Sequence, residues 1–219
     1  MNRIAILGAS RGLGWALYSE LVETNKEISF FLSSRKINEK VKTLYENTKL
    51  KTQLIPQDFS KTPVDPHFVK ILEQFRPTIL VYVAGGGPYG EFQTKKWSDH
   101  IWALNTTFIY PAELLHHILA SPQSWISLQK IIFVGSAVAE QSPDPNAASY
   151  AAAKHALKGL VSSIQQESVK SPKIELFSPG YMQTELLPGN SWPVAQGLVE
   201  SPNTVAQKLI TLIEKNNQR

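Results

Sequence analysis

The sequence predicts an α/β fold in which helices cover both faces of a doubly wound, mostly parallel sheet. Short apolar runs rich in β-branched residues alternate along the chain with longer stretches of helical pattern. The runs lack polar alternation, which is typical of strands buried on both faces. Alternating strands and helices favour parallel pairing with right-handed crossovers. A glycine-rich turn follows the first run, where sheets of this kind bind ligands.

The elements follow one another regularly from the amino terminus. No repeat, low-complexity tract or linker separates them, so we expect a single domain over residues 1–219. We predict six strands, over residues 4–7, 28–32, 52–55, 78–83, 130–134 and 174–177. We predict six helices, over residues 12–24, 38–49, 65–75, 98–120, 148–170 and 203–217.

The composition excludes several classes of protein. The chain has 219 residues, 42% of them hydrophobic, and no apolar run long enough to span a membrane. It contains no cysteine, so disulfides, zinc fingers and iron–sulfur clusters are excluded, and no other residues have metal-ligand spacing. The net charge of +4 comes from scattered basic residues, so we expect no nucleic-acid partner. Without an export signal, we expect a cytoplasmic protein with no metal.

The glycine-rich turn predicts a nucleotide site. Glycine lets a backbone turn tightly and approach a pyrophosphate, whose charge is stabilised at a helix N-terminus. Glycine is also common in such connections for geometry alone, but this turn joins the first strand to the first helix. The predicted cofactor-binding residues of this turn are Gly8, Ser10, Arg11, Gly12, Leu13 and Gly14.

Arg35 suggests which nucleotide is bound. It follows the second strand, where an acidic residue would hold the ribose 2′-hydroxyl of NAD and an arginine suits the 2′-phosphate of NADP. Arg11 can reach the same phosphate, although both arginines are also compatible with solvated loop charges. We therefore predict NADP(H) in preference to NAD(H). Asp58, after the third strand, either accepts a hydrogen bond from adenine or caps the next turn.

Ser136, Tyr150 and Lys154 form the candidate catalytic group. Tyr150 and Lys154 are four residues apart on a predicted helix, so they share one face. An ammonium near a phenol lowers the pKa of the phenol and makes it a usable acid or base. Ser136 ends the fifth strand and places a hydroxyl at the ligand edge of the sheet. This arrangement suits carbonyl and alcohol chemistry. In the structural alternative, Ser136 caps a turn and Tyr150 only packs against its neighbours.

Taken together, these features resemble the short-chain dehydrogenase/reductase family over essentially the whole chain. The resemblance implies a Rossmann-type fold and an NAD(P)-dependent oxidoreductase. The landmarks occur in the family's order: Gly8-x3-Gly12-x-Gly14, Asp58, Ala84-Gly85, Asn105, Ser136, Tyr150-x3-Lys154, and Pro179-Gly180 with Thr184.

The resemblance also assigns roles to the catalytic residues. It implies that Tyr150 donates a proton to a substrate carbonyl, and that Lys154 lowers the pKa of Tyr150 and binds the nicotinamide ribose. It implies that Ser136 orients the carbonyl oxygen and that Asn105 holds a water linking Lys154 to solvent. Asn105 is alternatively a polar interruption of a buried helix. Further cofactor contacts implied are Asp58, Phe59, Ala84, Gly85, Pro179, Gly180 and Thr184.

The chain departs from the family pattern in two places. Tyr82 and Val83 stand where the family commonly has two asparagines, so their amide contacts must be replaced or lost. The family's final strand is also absent, which favours a homodimer through the helices at 98–120 and 148–170 over a tetramer.

We predict an NADP(H)-dependent oxidoreductase that reduces a small carbonyl compound to an alcohol. Residues 181–199, with little helical period, are expected to cover the substrate, as this stretch does in the family. The alternative is a catalytically inactive NADP(H)-binding regulator or redox sensor of the same fold.

Overall fold

A six-stranded parallel sheet, in the order β3-β2-β1-β4-β5-β6, forms the centre of the computed structural model. The structure describes residues 2–24, 27–36, 39–48, 50–140, 144–167 and 171–215. The order reverses between β1 and β4, so the sheet is doubly wound as predicted, and every strand pair is parallel. The strands are β1 (Arg3–Leu7), β2 (Ser29–Ser34), β3 (Thr52–Pro56), β4 (Ile79–Tyr82), β5 (Lys130–Val134) and β6 (Lys173–Phe177).

Helices lie between the strands and cover both faces of the sheet. Beyond β6, a separate two-stranded parallel ribbon pairs β7 (Tyr181–Met182) with β8 (Val199–Glu200). In the described part of the chain, no strand after β6 joins the main sheet. The helices are α1 (Gly12–Thr24), α2 (Glu39–Asn47), α3 (Pro66–Phe75), α4 (Trp97–Leu104), α5 (Tyr110–Ala120), α6 (Ala148–Ile164), α7 (Trp192–Ala195) and α8 (Pro202–Glu214).

The core is divided by the sheet into two layers. Ala5 and Leu7 belong to one buried cluster, whereas Ile4 and Ile6 belong to the other. Successive side chains of a strand point to opposite faces, so an uninterrupted apolar run is what a strand covered on both sides requires. Burial on both faces explains why the four central strands, β1, β2, β4 and β5, were predictable from hydrophobicity, whereas the edge strands β3 and β6 are only partly buried.

The long helix predicted over residues 98–120 is divided in the structure. A π-helical turn, Asn105–Ile109, separates α4 from α5, and the Tyr110 N–H donates to the Asn105 carbonyl. The extra residue in this turn leaves the helical period almost unchanged, so the sequence pattern did not reveal it. The predicted helix ends at Asn38, Lys49, Lys170 and Asn217 lie outside the described residues.

Local sequence signals define the starts of two helices. Asp65 accepts a hydrogen bond of 2.9 Å from the His67 N–H at the start of α3, and Pro66 follows it. Ser201 accepts one of 3.1 Å from the Thr204 N–H at the start of α8, again with a proline next. Both are N-caps with proline at the first helical position. None of the helices described is long and apolar enough to cross a membrane.

Candidate active site

A cleft of about 360 Å³ lies where the strand order reverses, along the residues that follow the parallel strands. It brings together all of the predicted site residues except Gly14 and Asn105. The predicted residues that line it are Gly8, Ser10, Arg11, Gly12, Leu13, Arg35, Asp58, Phe59, Ala84, Gly85, Ser136, Tyr150, Lys154, Pro179, Gly180 and Thr184.

Gly14 lies beneath the glycine turn and not in the cleft. A Cβ atom at this position would collide with the carbonyl oxygen of Gly8. Gly14 therefore lets the first turn of α1 close against the end of β1, which is a packing role. This differs from the expected cofactor contact, because the spacing of glycines does not distinguish a glycine that faces the ligand from one that faces the strand.

Lys154 is the most strongly perturbed charge of the cleft. Only 2% of the residue is exposed, and its Nζ donates a hydrogen bond of 2.5 Å to the Val134 carbonyl at the end of β5. Burial lowers the pKa of Lys154 to about 7, because the apolar surroundings disfavour the ammonium. Lys154 Nζ lies 5.4 Å from the centre of the Tyr150 ring, one helical turn away.

Tyr150 is held next to Ser136 at the same end of the cleft. Burial raises the pKa of Tyr150, and a hydrogen bond with the Ser136 side chain opposes that rise. Burial disfavours the phenolate more strongly than the Ser136 hydrogen bond stabilises it. The expected lowering of this pKa by Lys154 stays a prediction. Ser136 also accepts a bond of 3.4 Å from the Val138 N–H, so the turn after β5 fixes its hydroxyl.

Asn105 does not reach the cleft with its side chain. Its amide donates a hydrogen bond of 3.1 Å to the Ser60 carbonyl, which ties the π-helical turn to the loop after β3. The expected water between Asn105 and Lys154 therefore stays a prediction. Thr107, two residues on, was missed by sequence reasoning: its hydroxyl bonds both the N–H and the carbonyl of Gly86, at 3.1 and 3.2 Å.

The Tyr82 hydroxyl braces the π-helical turn, from a position where the family commonly has asparagine. In a π-helical turn the Tyr110 N–H bonds Asn105 instead of Thr106, which leaves the Thr106 carbonyl without its helical partner. The Tyr82 hydroxyl donates to that carbonyl at 2.7 Å. The departure from the family pattern therefore still braces the helix that borders the cleft.

The opposite end of the cleft is positively charged. Arg35 and Lys36 are exposed at the end of β2, and Lys36 was not predicted. Burial acts to raise the pKa of Asp58, but hydrogen bonds from Ser60 and the charge of Arg35 outweigh it and hold the pKa below its ordinary value. Asp58 accepts bonds of 3.0 and 2.7 Å from the Ser60 N–H and hydroxyl, which is the turn-capping arrangement.

Arg11 makes an ion pair across the mouth of the cleft. Its guanidinium lies 3.2 Å from the carboxylate of Glu185, in the segment predicted to cover the substrate. Both side chains are well exposed, at 50% and 76%, so the pair is weak and another anion can readily replace Glu185 beside Arg11. Glu185 is another cleft residue that sequence reasoning missed.

Comparison with known proteins identifies the family. The family model described as short chain dehydrogenase matches residues 2–191. The chain belongs to the short-chain dehydrogenase family. It is similar to the hydroxynaphthalene reductase-like protein Arp2 of Metarhizium acridum (strain CQMa 102), with 25% identity over 201 residues, 88% of this chain and 72% of the relative. The corresponding protein of Metarhizium anisopliae (strain ARSEF 549) is 24% identical over 196 residues, 85% and 70% of the two chains.

Solved structures share the fold of this short-chain dehydrogenase. A 4-hydroxyisoleucine dehydrogenase complexed with NADH has a TM-score of 0.82 and 20% identity, covering 98% of this chain and 92% of that one. BdcA in complex with NADPH has a TM-score of 0.75 and 22% identity, covering 96% and 86%. A short chain dehydrogenase of Burkholderia cenocepacia J2315, in complex with NADP, has a TM-score of 0.76 and 21% identity, covering 97% and 90%.

A smaller cavity of about 100 Å³ shares Ser136 and Tyr150 with the main cleft of the dehydrogenase. Its wall includes Asp144, which is only 3% exposed and was not predicted as a site residue. The signal available in the sequence was weak, because Asp144 is an isolated acid in the connection before α6. Among the described residues, no group of three or more histidine, aspartate and glutamate side chains is arranged to hold a metal.

Proposed function

We propose that this short-chain dehydrogenase uses NADP(H) to reduce a small carbonyl compound to the alcohol, with Tyr150 as the proton donor. One observation carries the proposal. Ser136, Tyr150 and Lys154 meet at one end of a cleft whose other end holds Arg35 and Lys36. The first end suits a reacting carbonyl group, and the second suits the phosphate of a nucleotide.

The residues of the cleft fit a nicotinamide dinucleotide. The path between its two ends is walled by the glycine turn and by Ala84 and Gly85, which leave backbone exposed to a ligand. A Cβ at Gly85 would stand 3.3 Å from Lys154 Nζ and fill this part of the cleft. Thr106 also lines the cleft, and its buried hydroxyl has no hydrogen-bond partner among the described residues, which is the kind of group that a bound ligand satisfies.

The chain's own groups handle the proton and orient the substrate. A bound nicotinamide would supply the hydride, and the Tyr150 hydroxyl donates the proton to the carbonyl oxygen. Ser136 donates a hydrogen bond to the same oxygen, which favours the charge that develops there. Lys154, with a pKa of about 7, exchanges protons readily near neutral pH and is placed to restore the proton of Tyr150.

NADP(H) is the proposed cofactor because the end of β2 carries cations and no acid. Ser33 and Ser34 precede Arg35 and Lys36, so no carboxylate follows β2 directly to hold a ribose 2′-hydroxyl. A guanidinium pairs well with a phosphate through two parallel hydrogen bonds. The similar structures were solved with either NADH or NADPH and NADP, so the preference rests on these residues.

Replacing Tyr150 by phenylalanine tests the proposal directly. The variant is expected to lose at least about 100-fold in turnover, because general-acid catalysis contributes on this order, while its NADPH affinity changes little. Carbonyl-dependent NADPH oxidation and cofactor fluorescence measure the two properties. Tyr45→Phe, which removes a partly exposed tyrosine hydroxyl on α2, outside both cavities, is the matched control.

A Tyr150→Phe variant that retains full turnover would contradict the proposed role of Tyr150. A wild-type protein that binds NADPH tightly but reduces none of a broad set of ketones and aldehydes would favour the regulator or redox sensor instead.

We further propose a homodimer that buries α4, the π-helical turn, α5 and α6. Ile101 and Ile109 are exposed at 39% and 40%, which leaves apolar surface on this side of the molecule. Light scattering coupled to size exclusion is expected to give twice the mass of one chain, which is 24.4 kDa. A monomer at micromolar concentration would contradict the proposal. The cytoplasmic location expected from the sequence stays a prediction, to be checked by cell fractionation.

A further inference from the structure

The smaller cavity beside Tyr150 contains a buried carboxylate that the proposed chemistry does not use. Asp144 lies in the connection before α6 and is 3% exposed, yet it contributes to the wall of the cavity that also includes Ser136 and Tyr150. A substrate whose carbonyl reaches Tyr150 would extend along this wall.

Neutral donors surround the Asp144 carboxylate. Oδ1 accepts a bond of 2.9 Å from the Asn146 N–H, and Oδ2 accepts one of 3.1 Å from the Trp192 indole. The hydroxyls of Tyr89 and Tyr181 approach the same Oδ2 at 3.5 and 3.4 Å. Within the part of the chain that the structure describes, no lysine, arginine or histidine forms an ion pair with Asp144.

The negative charge of a buried carboxylate at this position requires an explanation. Burying a carboxylate is costly unless it is paired, and neutral hydrogen bonds offset only part of that cost. Holding the Trp192 indole and two tyrosine hydroxyls requires an acceptor but not a negative charge, since an amide oxygen would do the same. The negative charge is therefore better explained by a cation that arrives with a ligand.

We propose that Asp144 binds the ammonium group of a substrate, and that the substrate class is small aminoketones or the corresponding amino alcohols. The inference rests on the proposed reductase function and names its substrate. The protonated amine supplies the missing counter-charge, and the aromatic rings of Tyr89 and Tyr181, which also line the cavity, suit a small cation with an apolar body.

Two probes of nearly equal shape test the inference. Aminoacetone carries an ammonium where butan-2-one carries a methyl group. Calorimetric titration of each into the NADP⁺-loaded protein at about pH 7 gives binding, and NADPH oxidation gives kcat/KM. We expect the wild-type protein to bind aminoacetone at least about tenfold more tightly. The isosteric Asp144→Asn variant should lose that preference and keep its affinity for butan-2-one, while Trp192→Phe, which keeps the charge, should retain the preference.

Equal affinity for the two probes in the wild-type protein would overturn the inference, and this comparison does not depend on the folding of any variant. An Asp144→Asn change that weakens both probes equally would also overturn it, because it would show a structural role alone. Selective binding without turnover would support the inference and contradict the reductase function. Turnover of both ketones without selectivity would contradict the inference only.

Discussion

Lys154 is a single residue whose burial serves the site and lowers the stability of the fold. Its ammonium is buried and donates a hydrogen bond to the Val134 carbonyl, and burial lowers its pKa to about 7. Below pH 7 the folded and unfolded chains are both protonated here, so the folded state bears the whole cost of burying the charge. Above pH 7 the folded state releases the proton first, so this contribution makes the protein more stable as pH rises toward 10.5.

Replacing Lys154 by methionine is therefore expected to stabilise the protein and abolish its activity. The free energy of unfolding of the variant should exceed that of the wild type most at pH 6. The difference should shrink by about 1.4 kcal/mol per pH unit above pH 7. Urea denaturation at pH 6 and pH 9 measures it. Lys158→Met is the control, since Lys158 is a partly exposed lysine on the same helix that is ion-paired with Glu140. A Lys154→Met variant less stable than the wild type at pH 6 would contradict this account.

Residue identities were more predictable from the sequence than residue environments. Tyr150, Lys154 and Ser136 were recognisable because spacing on a helix and position after a strand are written in the order of residues. The raised pKa of Tyr150 was not, because it depends on burial by segments distant in the chain. Asp144 was missed for the same reason, since Tyr89, Tyr181 and Trp192 reach it from other loops.

At the scale of elements, the π-helical turn is the feature that most affects the site. It breaks the predicted helix at Asn105 and directs Thr107 toward the backbone of Gly86, beside Lys154. The four central strands were predictable because burial on both faces leaves a strong hydrophobic pattern, and the edge strands β3 and β6 keep a weaker one. One additional residue in a helical turn leaves almost none, and neither does the two-residue pairing of β7 with β8.

Tyr82→Phe tests whether the π-helical turn positions the catalytic residues. Removing the hydroxyl leaves the buried Thr106 carbonyl without its partner, which is expected to lower the free energy of unfolding by about 1–3 kcal/mol. We also expect kcat to fall severalfold with little change in KM for NADPH, since the turn neighbours Lys154. Tyr18→Phe removes a buried hydroxyl on the other face of the sheet and should leave kcat unchanged. Unchanged kcat in Tyr82→Phe would argue that the bond is purely structural.

At the scale of the whole molecule, the parallel sheet gathers residues from distant parts of the chain. Residues after β1, β2, β4, β5 and β6 all reach one cleft, and this was predictable because parallel strands end at the same edge. We propose that residues 1–219 form one domain in which 181–199 cover the substrate. Limited proteolysis that released a stable half of the chain would contradict this. What the topology does not decide is which nucleotide the cleft prefers.

A titration of the purified protein with NADPH and with NADH, followed by fluorescence, tests the central claim most directly. The account predicts that NADPH binds at least about tenfold more tightly, since a charge-assisted hydrogen bond contributes about 1.5–3 kcal/mol. Replacing Arg35 by serine should remove most of that difference and leave NADH affinity unchanged. Equal or tighter binding of NADH would show that Arg11 and Arg35 do not select the nucleotide. Binding of neither nucleotide would contradict the proposed function itself.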